Sequence, residues 1–236
     1  MNNLPQEMVD HVCSYLDHDS LKSTLLVSQK FQLAAELYSG AFRSFTLTKD
    51  NIDIFIATYS SRRFRYLQEL EYQVIIPASE RTGDPGDWDD EDEKQYRESQ
   101  TELEIVDEHY TQQINLLFST MKSVEMHPCN ETVAGDVHLT IFTPTTYFNL
   151  NVWSLQREFI RWLVHLLTPE TLPAVDPVRR LTVECPHQTC YSNGPMPSLR
   201  KLDLRVPLDI PSELPNLSTL RSTMFSSEPL RYITQD

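Results

Sequence analysis

The sequence predicts an α/β chain in which three short N-terminal helices precede an irregular solenoid of parallel strands and helices. Three observations lead there. Apolar residues recur at helical spacing from Met8 to Tyr38. Downstream, the pattern apolar-x-x-apolar-x-apolar returns along the chain, its closing positions alternating as in a strand. Between those units lie segments with helical apolar stripes of their own.

The helices come first. Pro5 suits a first helical turn, where a missing N–H costs nothing, and Glu7 suits the positive end of the helix dipole. Met8, Val9, Val12, Cys13 and Leu16 form the apolar face of the first helix. Asp19 is the expected N-cap of a second, with Leu21, Leu25 and Leu26 inside. Ser28 is expected to cap a third helix carrying Phe31, Ala34, Ala35 and Leu37 or Tyr38. Gly40 is expected to end it in the left-handed conformation. Helices this short cannot bury all these apolar residues among themselves, so the excess must meet a partner or the rest of the chain.

The same residues carry a family resemblance. Leu4-Pro5, Glu7, Val9, Val12, Tyr15-Leu16, Leu21 and Val27-Ser28-x-Lys30-Phe31 stand in the order of an F-box. Residues 1–45 therefore resemble an F-box, and the chain resembles fungal-type proteins in which an N-terminal F-box precedes irregular leucine-rich repeats. Phe31 stands where many F-boxes carry Trp, and no Cys precedes the Ser28–Lys30 pair. The resemblance implies docking onto a Skp-type adaptor and, through it, onto the cullin of a ubiquitin ligase. It implies an adaptor-binding face made of Leu4, Pro5, Met8, Leu16, Leu21, Val27 and Phe31. It also implies that the remainder holds a protein substrate, so that the chain contributes proximity rather than chemistry.

Residues 46–236 supply the repeat. Its units are Phe42-x-x-Phe45-x-Leu47, Leu67-x-x-Leu70-x-Tyr72, Met121-x-x-Val124-x-Met126, Val178-x-x-Leu181-x-Val183 and Leu199-x-x-Leu202-x-Leu204. Shortened forms follow at Leu217-x-x-Leu220 and Leu230-x-x-Ile233, and Val137 to Phe142 alternates as a further strand. This is the skeleton of a leucine-rich repeat, with uneven spacing and without the consensus Asn or Cys. Helices are expected over Asn51–Tyr59, capped by Thr48 or Asp50, over Leu103–Met121, and over Ser154–Leu167. In such a solenoid the strands line a concave wall, and Asp203, Arg205, Arg200, Thr182 and Glu184 are candidates for its exposed face. The last residues, Leu230-Arg-Tyr-Ile-Thr-Gln-Asp, read as the opening of another strand, so a shortened version of a longer protein is expected.

Composition narrows the function classes. A net charge of −14 disfavours binding to a nucleic-acid backbone. Part of that charge lies in the turn-rich segment 83–100, read as a solvated loop; it lacks the ordered glycine and closing glutamate of a calcium loop. No apolar run reaches the ~20 residues that span a bilayer, and no basic-then-apolar leader is visible. Cys13, Cys129, Cys185 and Cys190 are scattered, as in reduced proteins of the cytosol or nucleus. No cofactor and no catalytic or metal site is expected, because phosphate-binding, dinucleotide, nucleophile-elbow and zinc-helix motifs are all missing. The one alternative chemistry is Cys185-Pro-His187-Gln-Thr-Cys190, which offers three zinc ligands with Cys129 or His127 as a distant fourth. The runner-up function is a repeat scaffold whose N-terminal helices only cap the solenoid. Capping predicts that Leu4, Pro5, Met8 and Leu16 are buried against Phe42 and Phe45; adaptor docking predicts that they are exposed.

Overall fold

Five parallel strands, laid side by side in chain order, organise the computed structural model of the protein. It describes residues 4–76, 100–127, 136–147, 163–184, 197–199 and 202–222. Three helices lead: α1 (Gln6–Cys13), α2 (His18–Thr24) and α3 (Gln29–Tyr38). Then come β1 (Ser44–Leu47), a 3-10 turn at Lys49–Asn51, α4 (Ile52–Tyr59), a 3-10 turn at Arg62–Tyr66 and β2 (Glu69–Ile76). The long α5 (Gln100–Glu125) precedes β3 (Val137–Tyr147). The rest comprises β4 (Val178–Glu184), β5 (Pro197–Leu199), α6 (Val206–Ser212) and β6 (Thr219–Ser222). The sheet order is β1-β2-β3-β4-β6, and the sheet is open. The chain is thus mixed α/β with parallel strands, as the sequence predicts; β5 departs from that pattern by pairing antiparallel with the end of β3.

Alternation decides which face of the sheet is buried. Along β2, Leu70, Tyr72, Val74 and Ile76 are buried while Glu69, Glu71, Gln73 and Ile75 are exposed. Register aligns Leu70 with Leu139, Leu139 with Leu181, and Tyr72 with Ile141, so one continuous apolar face results. Helix α5 lays Val106, Tyr110, Ile114, Leu117, Phe118 and Met121 into the same core. Gln113 fixes its register: the side-chain amide donates to the Ile75 carbonyl at 2.8 Å, and the Tyr72 hydroxyl donates to the Gln113 carbonyl at 3.0 Å. Burial pushes the phenols of Tyr72 and Tyr110 up, so both stay neutral.

Several local expectations give way. Met121 and Val124 are helical, because they continue the buried stripe of α5 rather than starting a strand. Residues 163–167 of the expected third helix are not helical; Val164 instead forms an isolated parallel bridge with Leu202, which therefore lies outside any named strand. Leu204 is 58% exposed and is no core position. Asp17, not Asp19, caps α2, accepting from the Ser20 N–H at 2.8 Å. Arg200, the expected helix over 154–162, Leu230–Ile233, and the acidic segment from 83 to 99 lie outside the described residues.

Other caps form where the residues predict them. Ser28 precedes α3, its hydroxyl accepting from the Phe31 N–H at 3.5 Å. At α4, by contrast, neither Thr48 nor Asp50 is the cap: Thr48 heads the preceding 3-10 turn, its N–H donating to the Asn51 side chain at 2.8 Å, and Asn51 holds the N-cap position of α4 without a side-chain cap bond. Gly40 has φ +65° just past α3, and a Cβ there would meet nothing within 4 Å. Only the backbone would be strained, so Gly40→Ala is expected to cost about 1 kcal/mol. Gly40→Asn is expected to cost less, because Asn tolerates the left-handed region; thermal melts of the two variants check the order.

Candidate functional site

The N-terminal helices have a small core of their own. Val9, Cys13, Leu21, Ala34 and Ala35 are buried together, with Leu16 and Phe31 packed against them, and this cluster is separate from the core under the sheet. Phe42 and Phe45 belong to the sheet core instead. Burial, and secondarily the charge of Asp10, pushes the Cys13 thiol up, so it stays protonated.

What this core leaves outside is apolar. Helix α1 divides its apolar residues between two faces: Val9 and Cys13 point inward, while Met8 and Val12 are 54% and 49% exposed, and Tyr15, in the turn just past its end, is 78% exposed. The spacing of four places Met8 and Val12 on one side of the helix. Leu25 and Leu26, expected inside the second helix, instead lie past its end at Thr24, and with Val27 they are exposed. Of the seven residues in the implied adaptor face, Leu4, Pro5, Met8 and Val27 are exposed and Leu16 and Phe31 are half-buried. Leu21 lies inside the small core and supports the face from within. The two ends of the motif meet: Lys30 Nζ donates to the Leu4 carbonyl at 2.6 Å, and Gln6 Nε2 donates to the Lys30 carbonyl at 3.3 Å. Val12, Tyr15, Leu25 and Leu26 were not in the implied set, and it is their exposure once the three helices pack together that places them on the surface.

A buried ion triad joins these helices to the sheet domain. Glu36 on α3 is 3% exposed. Its two carboxylate oxygens are divided between Arg63, at 2.8 Å, and Arg62, at 3.2 Å. Burial pushes the Glu36 carboxyl up, but hydrogen bonds from Arg63 and Arg62, reinforced by their charges, hold it below the usual carboxylate range. The Arg63 guanidinium also lies 4.4 Å over the Phe42 ring, and the Phe42 carbonyl accepts from Tyr59 at 3.2 Å. This triad was not foreseen from the sequence. Its signal is a lone acid between Ala34-Ala35 and Leu37-Tyr38, on a helix whose other inward residues are apolar.

The second candidate surface is the polar face of the sheet, opposite the buried apolar one. One rung of aligned residues is Ser44, Glu69, His138, Arg180 and Thr219; the next is Thr46, Glu71, Thr140, Thr182 and Arg221. Thr182 and Glu184 thus lie on the predicted wall, though Thr182 is only 6% exposed and bonds His138 Nε2 at 2.8 Å. Asp203 and Arg205 lie elsewhere. Asp203 precedes α6, and His165 stands between it and Asp107 of α5, at 3.4 and 3.1 Å. Asp107 also accepts from the His165 backbone N–H at 2.9 Å, so the trio fastens α5 to the chain entering α6.

Among the described residues no group of three or more His, Cys, Asp or Glu side chains is placed to hold a metal ion. Cys129, Cys185, His187 and Cys190 lie outside the described residues. Among the described residues no helix is long and apolar enough to cross a membrane. No protein-family model matches the chain, and neither curated proteins nor solved structures show a significant match to it.

Proposed function

We propose that the protein is a non-catalytic substrate receptor: its N-terminal helices dock as an F-box onto a Skp-type adaptor, and its irregular leucine-rich-repeat-like sheet domain holds a protein substrate. The carrying observation is the exposure of Met8, Val12 and Tyr15 along and just past α1, together with that of Leu4, Pro5, Leu26 and Val27. Exposed apolar patches of this kind, rimmed by polar residues, mark protein interaction sites. A capping role would bury these side chains against Phe42 and Phe45; the two clusters are instead separate. Parallel strands that follow chain order, with the described helices of the sheet domain packed into the core on its apolar face, also agree with a solenoid. The receptor would work in the cytosol or nucleus, bringing substrate to ubiquitin-transfer machinery on the cullin.

A pull-down with purified Skp adaptor tests this. The wild-type chain is expected to bind. Met8→Asp with Leu26→Asp is expected to abolish binding, because each puts a charge into a desolvated contact, while leaving the thermal melt unchanged. A folded wild-type chain that does not bind would leave the scaffold reading, in which the helices recruit no ligase.

A further inference from the structure

All-parallel sheets ordinarily have both faces covered. Here the described residues of the second face are mostly polar: those of β1, β2 and β6 are exposed, His138, Thr140 and Phe142 of β3 are half-buried, and β4 carries exposed Arg180, buried Thr182 and half-buried Glu184. Glu69 and Glu71 stand exposed on β2, while Arg180 and Arg221 stand exposed on β4 and β6. Phe142, on β3 between them, is half-buried in the next rung. Arg180 is held only loosely, with Asp136 Oδ1 at 4.0 Å from its Nε and both side chains well exposed. We infer that this wall binds an extended protein segment that crosses the strands, carrying a basic and an acidic side chain with three residues between them.

The spacing follows from the sheet. Adjacent strands lie about 4.8 Å apart, so the three steps from β2 to β6 span about 14 Å. An extended chain rises about 3.3 Å per residue, and side chains at i and i+4 share a face about 13 Å apart. A Lys or Arg over Glu69 and Glu71 therefore sets an Asp or Glu over Arg221, with Arg180 beneath the path between them. The residue at i+2 faces the β3 positions, where Phe142 and Thr140 accept an apolar side chain.

This inference names the substrate class for the receptor reading above and rests on it for the wall's role as cargo surface; its test does not need the adaptor. The full chain is panned against a phage library of random dodecapeptides. Enriched peptides are expected to carry the oppositely charged pair at i and i+4. They are expected to lose at least about tenfold in affinity for Glu69→Lys/Glu71→Lys and for Arg180→Glu/Arg221→Glu. Changing the peptide's basic residue to Glu is expected to restore binding to Glu69→Lys/Glu71→Lys. Glu69→Gln/Glu71→Gln and Arg180→Gln/Arg221→Gln serve where a reversed charge lowers the melting temperature. No enrichment, enrichment without the spaced pair, or equal binding by the charge variants overturns the proposal. Adaptor pull-downs on the same preparations separate the two ideas. Peptide binding without adaptor binding overturns the receptor reading and leaves the wall; adaptor binding without peptide binding does the reverse.

Discussion

Replacing Arg62 and Arg63 together by Ala is expected to lower the unfolding free energy by about 3 kcal/mol, measured by urea denaturation. The cost comes from Glu36. It is 3% exposed, and without its partners the carboxylate is a buried charge with no compensation. The guanidinium groups themselves are about a third exposed, at 34% and 33%, which keeps the estimate at the lower end for breaking a buried pair. Adding Glu36→Leu to the double variant is expected to recover most of the loss, because the burden is the stranded charge rather than a missing contact.

The pH dependence follows from the same atoms. In the wild type the Glu36 carboxyl lies below the usual carboxylate range. Its stabilisation is complete above about pH 4.3, the ordinary value for an unfolded Glu, and is lost as pH falls through the lower folded value. In the double variant only burial acts, the shift reverses, and stability falls as pH rises through and above that ordinary value. The gap between the two proteins is therefore widest near neutrality and narrows on acidification. A gap that does not change with pH would mean that lost packing, not charge, is the cause.

A comparable effect is expected in the middle strand of the sheet. Leu139→Ala is expected to cost about 2–5 kcal/mol, whereas the next-residue change Thr140→Ala is expected to stay within about 0.5 kcal/mol. Leu139 is 0% exposed and lies in register with Leu70 and Leu181, so truncation opens a cavity in the middle of the buried face. Thr140 lies on the opposite face, between Glu71 and Thr182. Equal costs at the two positions, read from chemical denaturation, would contradict a sheet with one buried face.

Elements with short-range causes were legible before the fold was known. Helix α5 announces itself by an apolar stripe at helical spacing, and β2 by strict alternation. Gly40 and Ser28 mark their helix ends because turn conformation and capping are decided within a few residues. Met121-x-x-Val124-x-Met126 misleads because the repeat pattern also fits a helix: its first two apolar residues lie three apart, and the 26-residue α5 carries both into the core. Leu199-x-x-Leu202-x-Leu204 misleads for another reason. Its residues divide between an antiparallel pairing with β3, a lone bridge to Val164 and the surface, and pairing partners distant in sequence make that choice.

By itself, then, the sequence determined the α/β class, the parallel strands and the three leading helices with their surplus of apolar residues, because periodicity and caps are local properties of the chain. Only the tertiary structure decided which side of α1 faces outward, left Met8, Val12 and Tyr15 exposed, and separated the small helical core from the sheet core. It also set Glu36 between Arg62 and Arg63, and lined up glutamates on β2 with arginines on β4 and β6. Those arrangements depend on strand order, register and helix packing between residues far apart in the chain, and no local pattern carries that information.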